Sequence, residues 1–178
     1  FQSNFLSSIL LLSSALAGQG GRLFLELRDK QSLAYTVAPM NSDTPERGMF
    51  GFYIGCSPEK MATSIQGIRR EIEKVLEAPI SAAELDRAKK YWIGRFELEM
   101  QRYGAQAMMY GLDEIYGLGY DHSLSLSEKI KAISAQEIQR VATRFLKLNA
   151  ATLSVVHRDA VGEGAVLAAT ERKVIKTM

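Results

Sequence analysis

The chain has 178 residues, 47% of them apolar and 24% charged, with a net charge of +2. These totals fit one soluble domain of ordinary size with a real core, and they lack the basic excess that nucleic-acid binding would need. The single cysteine, Cys56, excludes an intrachain disulfide and a cysteine-based zinc site and leaves the compartment undecided.

Phe1-Gln2-Ser3-Asn4 reads as the remnant of a cleavable expression tag. On that reading the domain runs over 5–160, is truncated with its first strand upstream, and is followed by a tail at 161–178. The apolar run Phe5 to Ala17 has the A-x-A end of a signal peptide, but no basic residue precedes it and it is too short to span a bilayer. Its serines suit a core helix with Leu6, Ile9, Leu10, Leu12 and Leu16 on the inner side. Gly18-Gln19-Gly20-Gly21 ends that helix, since glycine takes the positive φ that closes a last turn. A phosphate loop is excluded there, because Leu23 breaks G-x-G-x-x-G and no G-K-[S/T] follows.

Leu23, Phe24 and Leu27 recur at helical spacing, and Arg22/Glu26 and Glu26/Lys30 are four apart and able to pair. After Gln31-Ser32 the pattern alternates: Leu33, Tyr35 and Val37 point one way, Ala34, Thr36 and Ala38 the other. Arg28 therefore ends a short helix and Tyr35 starts a strand, close enough to face one spot. Polar residues 41–48 predict a loop, and Met49 to Cys56 a second, antiparallel strand. Its face of Gly51 and Gly55 is low, open to a peptide or, more simply, to a closely packed helix. Cys56 reads as a small buried residue.

Ser57 and Pro58 open the next helix, with Met61, Ile65, Ile68, Ile72 and Val75 buried and Arg69, Arg70, Glu71, Glu73 and Lys74 covering the rest. Ser81-Ala82-Ala83-Glu84 is a capping box for a long helix to about Arg102, with Leu85, Ala88, Trp92, Phe96 and Met100 as its stripe. Gly104 breaks the run. A methionine- and aromatic-rich helix from Ala105 to Tyr116 reads as core. Two short helices follow, at 125–133 and 135–146, the second with a capping box at Ser134–Glu137. A last strand is predicted over Ala150 to His157.

The chemistry is defined by what is missing. Of the two histidines, His122 reads as a loop residue and His157 as a strand end, and neither has a second ligand one turn away. No G-x-S-x-G occurs, and Cys56 has no histidine near it in sequence. From residue types alone, Arg28 pairs with Asp29 or Glu26 at the surface and Tyr35 packs as a strand aromatic.

Gly20-Gly21-Arg22-Leu23, then Leu27-Arg28, then Leu33-Ala34-Tyr35 resembles the non-catalytic half of the pitrilysin/insulinase family of zinc metallopeptidases, family M16. The Glu84-Leu85 to Ala88-Lys89 segment resembles the E-L-x-x-A-K helix that follows the second strand there. The resemblance implies an α+β, two-layer sandwich of antiparallel or mixed sheet against several helices, the LuxS/M16 metallopeptidase-like fold. It implies that Arg28 and Tyr35 bind substrate and stabilise the transition state in an active site completed by another half. That half carries H-x-x-E-H and the zinc; this chain binds none and has no peptidase activity alone. The partners implied are that half or a partner subunit and a peptide substrate, with self-association open and neither nucleic acid nor membrane among them. Two other readings stay open: an M16-like scaffold or partner subunit without catalysis, and an unrelated α+β binding module.

Overall fold

The structure is a computed structural model that describes residues 2–18, 20–43 and 48–156. Helix α1 spans Gln2–Leu16 and is the centre of the fold. Leu11, Leu12, Ala15 and Leu16 are buried in the main core, and the helix packs against strand β1 (Ala34–Asp43) and helices α3 (Ala82–Glu99), α5 (Leu126–Ala132) and α6 (Ala135–Phe145). This is the core helix the apolar run predicts, but it is enclosed on more than one side. Leu11, Ser7 and Ser8 are buried as well as Ile9, Leu12 and Leu16, whereas Leu10 is only partly so. The small serines are tolerated inside because a hydroxyl can bond back to the helix, as Ser14 does to the Leu10 carbonyl at 2.9 Å.

The second strand, β2 (Gly48–Cys56), pairs antiparallel with β1 from Asp43↔Gly48 to Ala34↔Cys56. The strands therefore run further into the polar segment than its composition predicts, and residues 44–47 lie outside the described part. Phe50, Phe52 and Ile54 lean on the core. The opposite face is open: Met49 and Tyr53 are exposed, and beyond Gly51 nothing lies within 4 Å of where a Cβ would stand. The expected helix over the Gly51/Gly55 face is thus absent among the described residues. The fold is α+β, but among the described residues the sheet has two strands only, because residues 151–156 have no strand pairing; His157 and the tail lie outside the described residues.

Helix α2 (Met61–Glu77) buries Ile65, Ile72 and Val75 as its spacing predicts. Glu71, read from sequence as part of the solvated face, is 4% exposed, with its carboxylate 2.5 Å from the Lys74 ammonium. The α3 capping box is present in full, and α6 has Ser134 accepting from the Glu137 N–H at 3.1 Å, while the Glu137 carboxylate turns to Arg140 instead.

Helix α4 (Tyr103–Ile115) corrects two expectations. Gly104 lies inside it, the break falling at 100–102, and its Met-rich stripe is not core: Met108, Leu112 and Ile115 are exposed. Asp113, its one buried residue, accepts from the N–H and hydroxyl of Ser123, both at 2.9 Å, which fixes α4 to the short 3-10 turn His122–Ser125. Helical periodicity identifies an apolar stripe but says nothing of whether the chain supplies a surface to cover it. No described helix is long and apolar enough to cross a membrane.

Candidate functional site

The site is built on the turn between α1 and β1. Gly18 takes φ +71 and ends α1, and Gly21 follows for a different reason. A Cβ there would run into the carbonyl oxygens of Ala17 and Leu16, so the second glycine is set by close backbone approach rather than by positive φ. The chain then enters a π-helix, Phe24–Lys30. The four-residue spacing of Leu23 and Leu27 buries both completely in a turn wider than the α-helix the pattern suggests.

Arg22 anchors this segment, though not through Glu26. Its Nε and Nη2 grip both carboxylate oxygens of Glu84 in a bidentate pair, the Nη2 bond being 2.9 Å, while Glu26 pairs with Lys30 at 2.6 Å. Glu84 is also the third residue of the α3 capping box and accepts from the Ser81 N–H and hydroxyl at 2.9 and 2.7 Å. One carboxylate thus ties the site's helix to the start of α3. The Arg22 guanidinium, chiefly by this hydrogen bond, pulls the Glu84 carboxyl down to about 2, and Glu84 in turn raises Arg22. A carboxyl depressed in the fold stabilises in full above its ordinary value near 4.5 and loses that contribution as pH falls toward 2. We expect thermal stability to drop between pH 5 and 2, and Glu84→Gln to be less stable at neutral pH by about 2 kcal/mol and to lose that part of the acid slope. An unchanged slope in Glu84→Gln denaturation curves would contradict this.

The packing beneath the site is tight. Leu27 presses its Cδ2 against α2 at Gly67, 2.5 Å from where a Cβ would be. Because Leu27 is fully buried, it cannot swing clear. Gly67→Ala is expected to cost about 1–3 kcal/mol by overpacking, read as an earlier urea midpoint.

On the outer edge of the π-helix the Arg28 guanidinium lies between two aromatic rings, 4.7 Å from the centroid of Phe24 and 4.7 Å from that of Tyr35. Among the described residues it forms no ion pair, so the simple surface pairing with Asp29 or Glu26 is not adopted. Tyr35 does not alternate inward with Leu33 and Val37 either. The β1–β2 register slips between Ala34 and Thr36, leaving Tyr35 as the extra residue of a bulge and 81% exposed. Ser32, between Arg28 and Tyr35, sits at φ +48, an uncommon backbone state for a residue other than glycine. Its carbonyl accepts from the Lys60 ammonium at 2.7 Å. Sequence reasoning singles out Arg28 and Tyr35 and misses Phe24 and Lys60. Phe24 was legible, four residues before Arg28 on one helical edge; Lys60, far along the chain, was not.

An open cleft of about 390 Å³ adjoins Tyr35, lined by Ser32, Leu33, Ala34, Gly55, Cys56, Ser57 and Lys60. Cys56 is therefore a half-buried cleft residue and not a core one. His122 is half-buried in the 3-10 turn, its Nε2 3.5 Å from the Lys129 ammonium. No group of three or more His, Cys, Asp and Glu side chains able to hold a metal occurs among the described residues. The described donor set does not fit a zinc ion.

Comparison with known proteins follows the same residues. The family model of the peptidase M16 inactive domain matches residues 6–91, which contain most of α1, the Arg28–Tyr35 turn, both strands, α2 and the start of α3. Over those residues the chain matches the M16 inactive domain. An uncharacterised zinc protease of Streptomyces coelicolor is 29% identical over 140 residues, covering 76% of this chain and 30% of that protein. Another, from Bacillus subtilis, is 25% identical over 134 residues, 75% of this chain and 32% of its own length. The chain thus spans about a third of the curated relatives it matches. In structure it is similar to a peptidase M16 inactive domain from Pseudomonas fluorescens, with TM-score 0.70, 19% identity, and coverage of 78% and 34% of the two chains. A protease from Helicobacter pylori superposes with TM-score 0.66 at 22% identity, covering 79% and 35%. At such identities these likenesses establish the fold.

Proposed function

We propose that this chain is an M16 inactive domain that serves as the substrate-binding half of a zinc-dependent endopeptidase, whose zinc is held by a partner half and whose active site is completed by Arg28 and Tyr35. The observation that carries the reading is the exposed Arg28–Tyr35 contact: a guanidinium without a carboxylate partner among the described residues, lying over a phenol that faces solvent. A cation and a hydroxyl donor side by side at a surface are suited to an oxygen that gains negative charge. As an amide carbonyl is attacked, the Tyr35 hydroxyl donates a hydrogen bond to it and the Arg28 guanidinium stabilises the charge or grips a neighbouring peptide carbonyl. Phe24, the bulge and the Ser32 turn hold both groups in place before substrate arrives, which is what makes such donors effective. The open face of the sheet, whose two strands pair with no third strand among the described residues, suits an extended peptide added as a strand.

The test is made on the full-length protein. It should cleave an unfolded polypeptide, and a chelator should stop cleavage while leaving this domain folded. A full-length protein that contains zinc yet cleaves no unfolded polypeptide would refute the reading.

A further inference from the structure

We infer that the cleft beside Tyr35 seats an acidic side chain of the bound peptide, with the Lys60 ammonium as its counter-ion. The inference rests on the peptide-binding reading above and adds a substrate class to it. Three observations carry it. The cleft, about 390 Å³, has room for one side chain, and half of its lining is small or apolar: Leu33, Ala34, Gly55 and Cys56. Its other lining residues are Lys60, Ser57, Ser32 and Tyr35, with no carboxylate among them. Lys60 is held in place, since it donates to the Ser32 carbonyl at 2.7 Å, and an ammonium has two further protons to donate.

The cleft is also electrostatically unbalanced. Among the described residues Lys60, which lines the cleft, forms no ion pair, and neither does Arg28, which lies over the ring of Tyr35, another lining residue. Covering Lys60 with a neutral peptide would strip water from a charge that gains no partner. A Glu or Asp side chain entering the cleft supplies that partner and can accept from Lys60 and from the Ser57 hydroxyl together. A lysine side chain in the same place meets like charge. The fixed ammonium thus acts by both attraction and rejection.

The probe is a set of labelled decapeptides with Glu, Gln or Lys placed at one position at a time, assayed on the full-length protein for binding by anisotropy and for turnover. At one position the wild type should bind the Glu peptide about fivefold tighter than the Gln peptide, the size typical of one exposed charge pair. Lys60→Glu should reverse the order in favour of the Lys peptide, and Lys60→Arg should keep it. Equal affinity for Glu and Gln peptides at every position, or an acidic preference that survives Lys60→Glu, overturns the inference. Failure of the two readings is separable. A Lys60-dependent acidic preference without any cleavage supports the cleft and sinks the catalytic role. Cleavage that depends on Tyr35 but ignores peptide charge does the reverse.

Discussion

Tyr35→Phe in the full-length protein is expected to lower turnover about 10²–10³-fold, the usual effect of removing one donor to a developing oxyanion. Nothing structural competes with this outcome. The ring is 81% exposed at a bulge, no hydrogen bond to its hydroxyl is made among the described residues, and phenylalanine preserves the face on which Arg28 rests. Unfolding temperature should therefore stay within about 1 °C of wild type, as for surface substitutions in general. If the hydroxyl acts only in the transition state, kcat and kcat/KM should fall together with KM little changed. Arg28→Ala should lower turnover as well, with a small loss of stability from the two ring contacts. Wild-type turnover in Tyr35→Phe would remove the phenol from the mechanism.

Gly21→Ala carries the largest expected effect on stability. The added methyl would meet the Ala17 carbonyl oxygen, and the Leu16 carbonyl oxygen lies 2.5 Å away, both backbone atoms of the last turn of the central helix. Neither can move without distorting α1, whose Leu16 is buried in the main core. We expect a loss of about 3 kcal/mol or more, near 10 °C in Tm for a domain of this size. Gly20→Ala is the control. Its Cβ would meet the Arg87 side chain at 3.1 Å, a flexible stem at the surface of α3 that can shift, so the cost should be far smaller. Equal Tm values for the two variants would contradict this account of the double glycine.

What the sequence discloses and what it hides divide on physical grounds. Signals confined to one element are legible: the stripe of α2, the Ser81–Glu84 box, and the turn that brings Arg28 toward Tyr35. Signals that depend on a second element are not. Arg22 pairs with Glu84 across the fold in place of Glu26 beside it, because Glu84 is already held by the capping box and offers two fixed oxygens. Lys60 reaches the Ser32 carbonyl from another helix. Tyr35 leaves the alternation of its strand because the pairing slips by one residue, and register belongs to both strands. The α4 stripe and the 151–156 segment fail for a related reason: apolar spacing and β-propensity state a preference, and packing against a neighbour decides it. The placing of Arg28 beside Tyr35 was legible because their motif is local, whereas the contacts that support them were not.

The most direct measurement is turnover and bound zinc on the same preparation of the full-length Arg28→Ala/Tyr35→Phe double variant, beside the two single variants. Groups that act together on one oxygen lose their effect together, so the double variant should be little slower than the worse single one, with zinc content equal to wild type. Wild-type turnover in the double variant, or loss of zinc in step with loss of activity, would show that this pair does not serve chemistry housed on the other half.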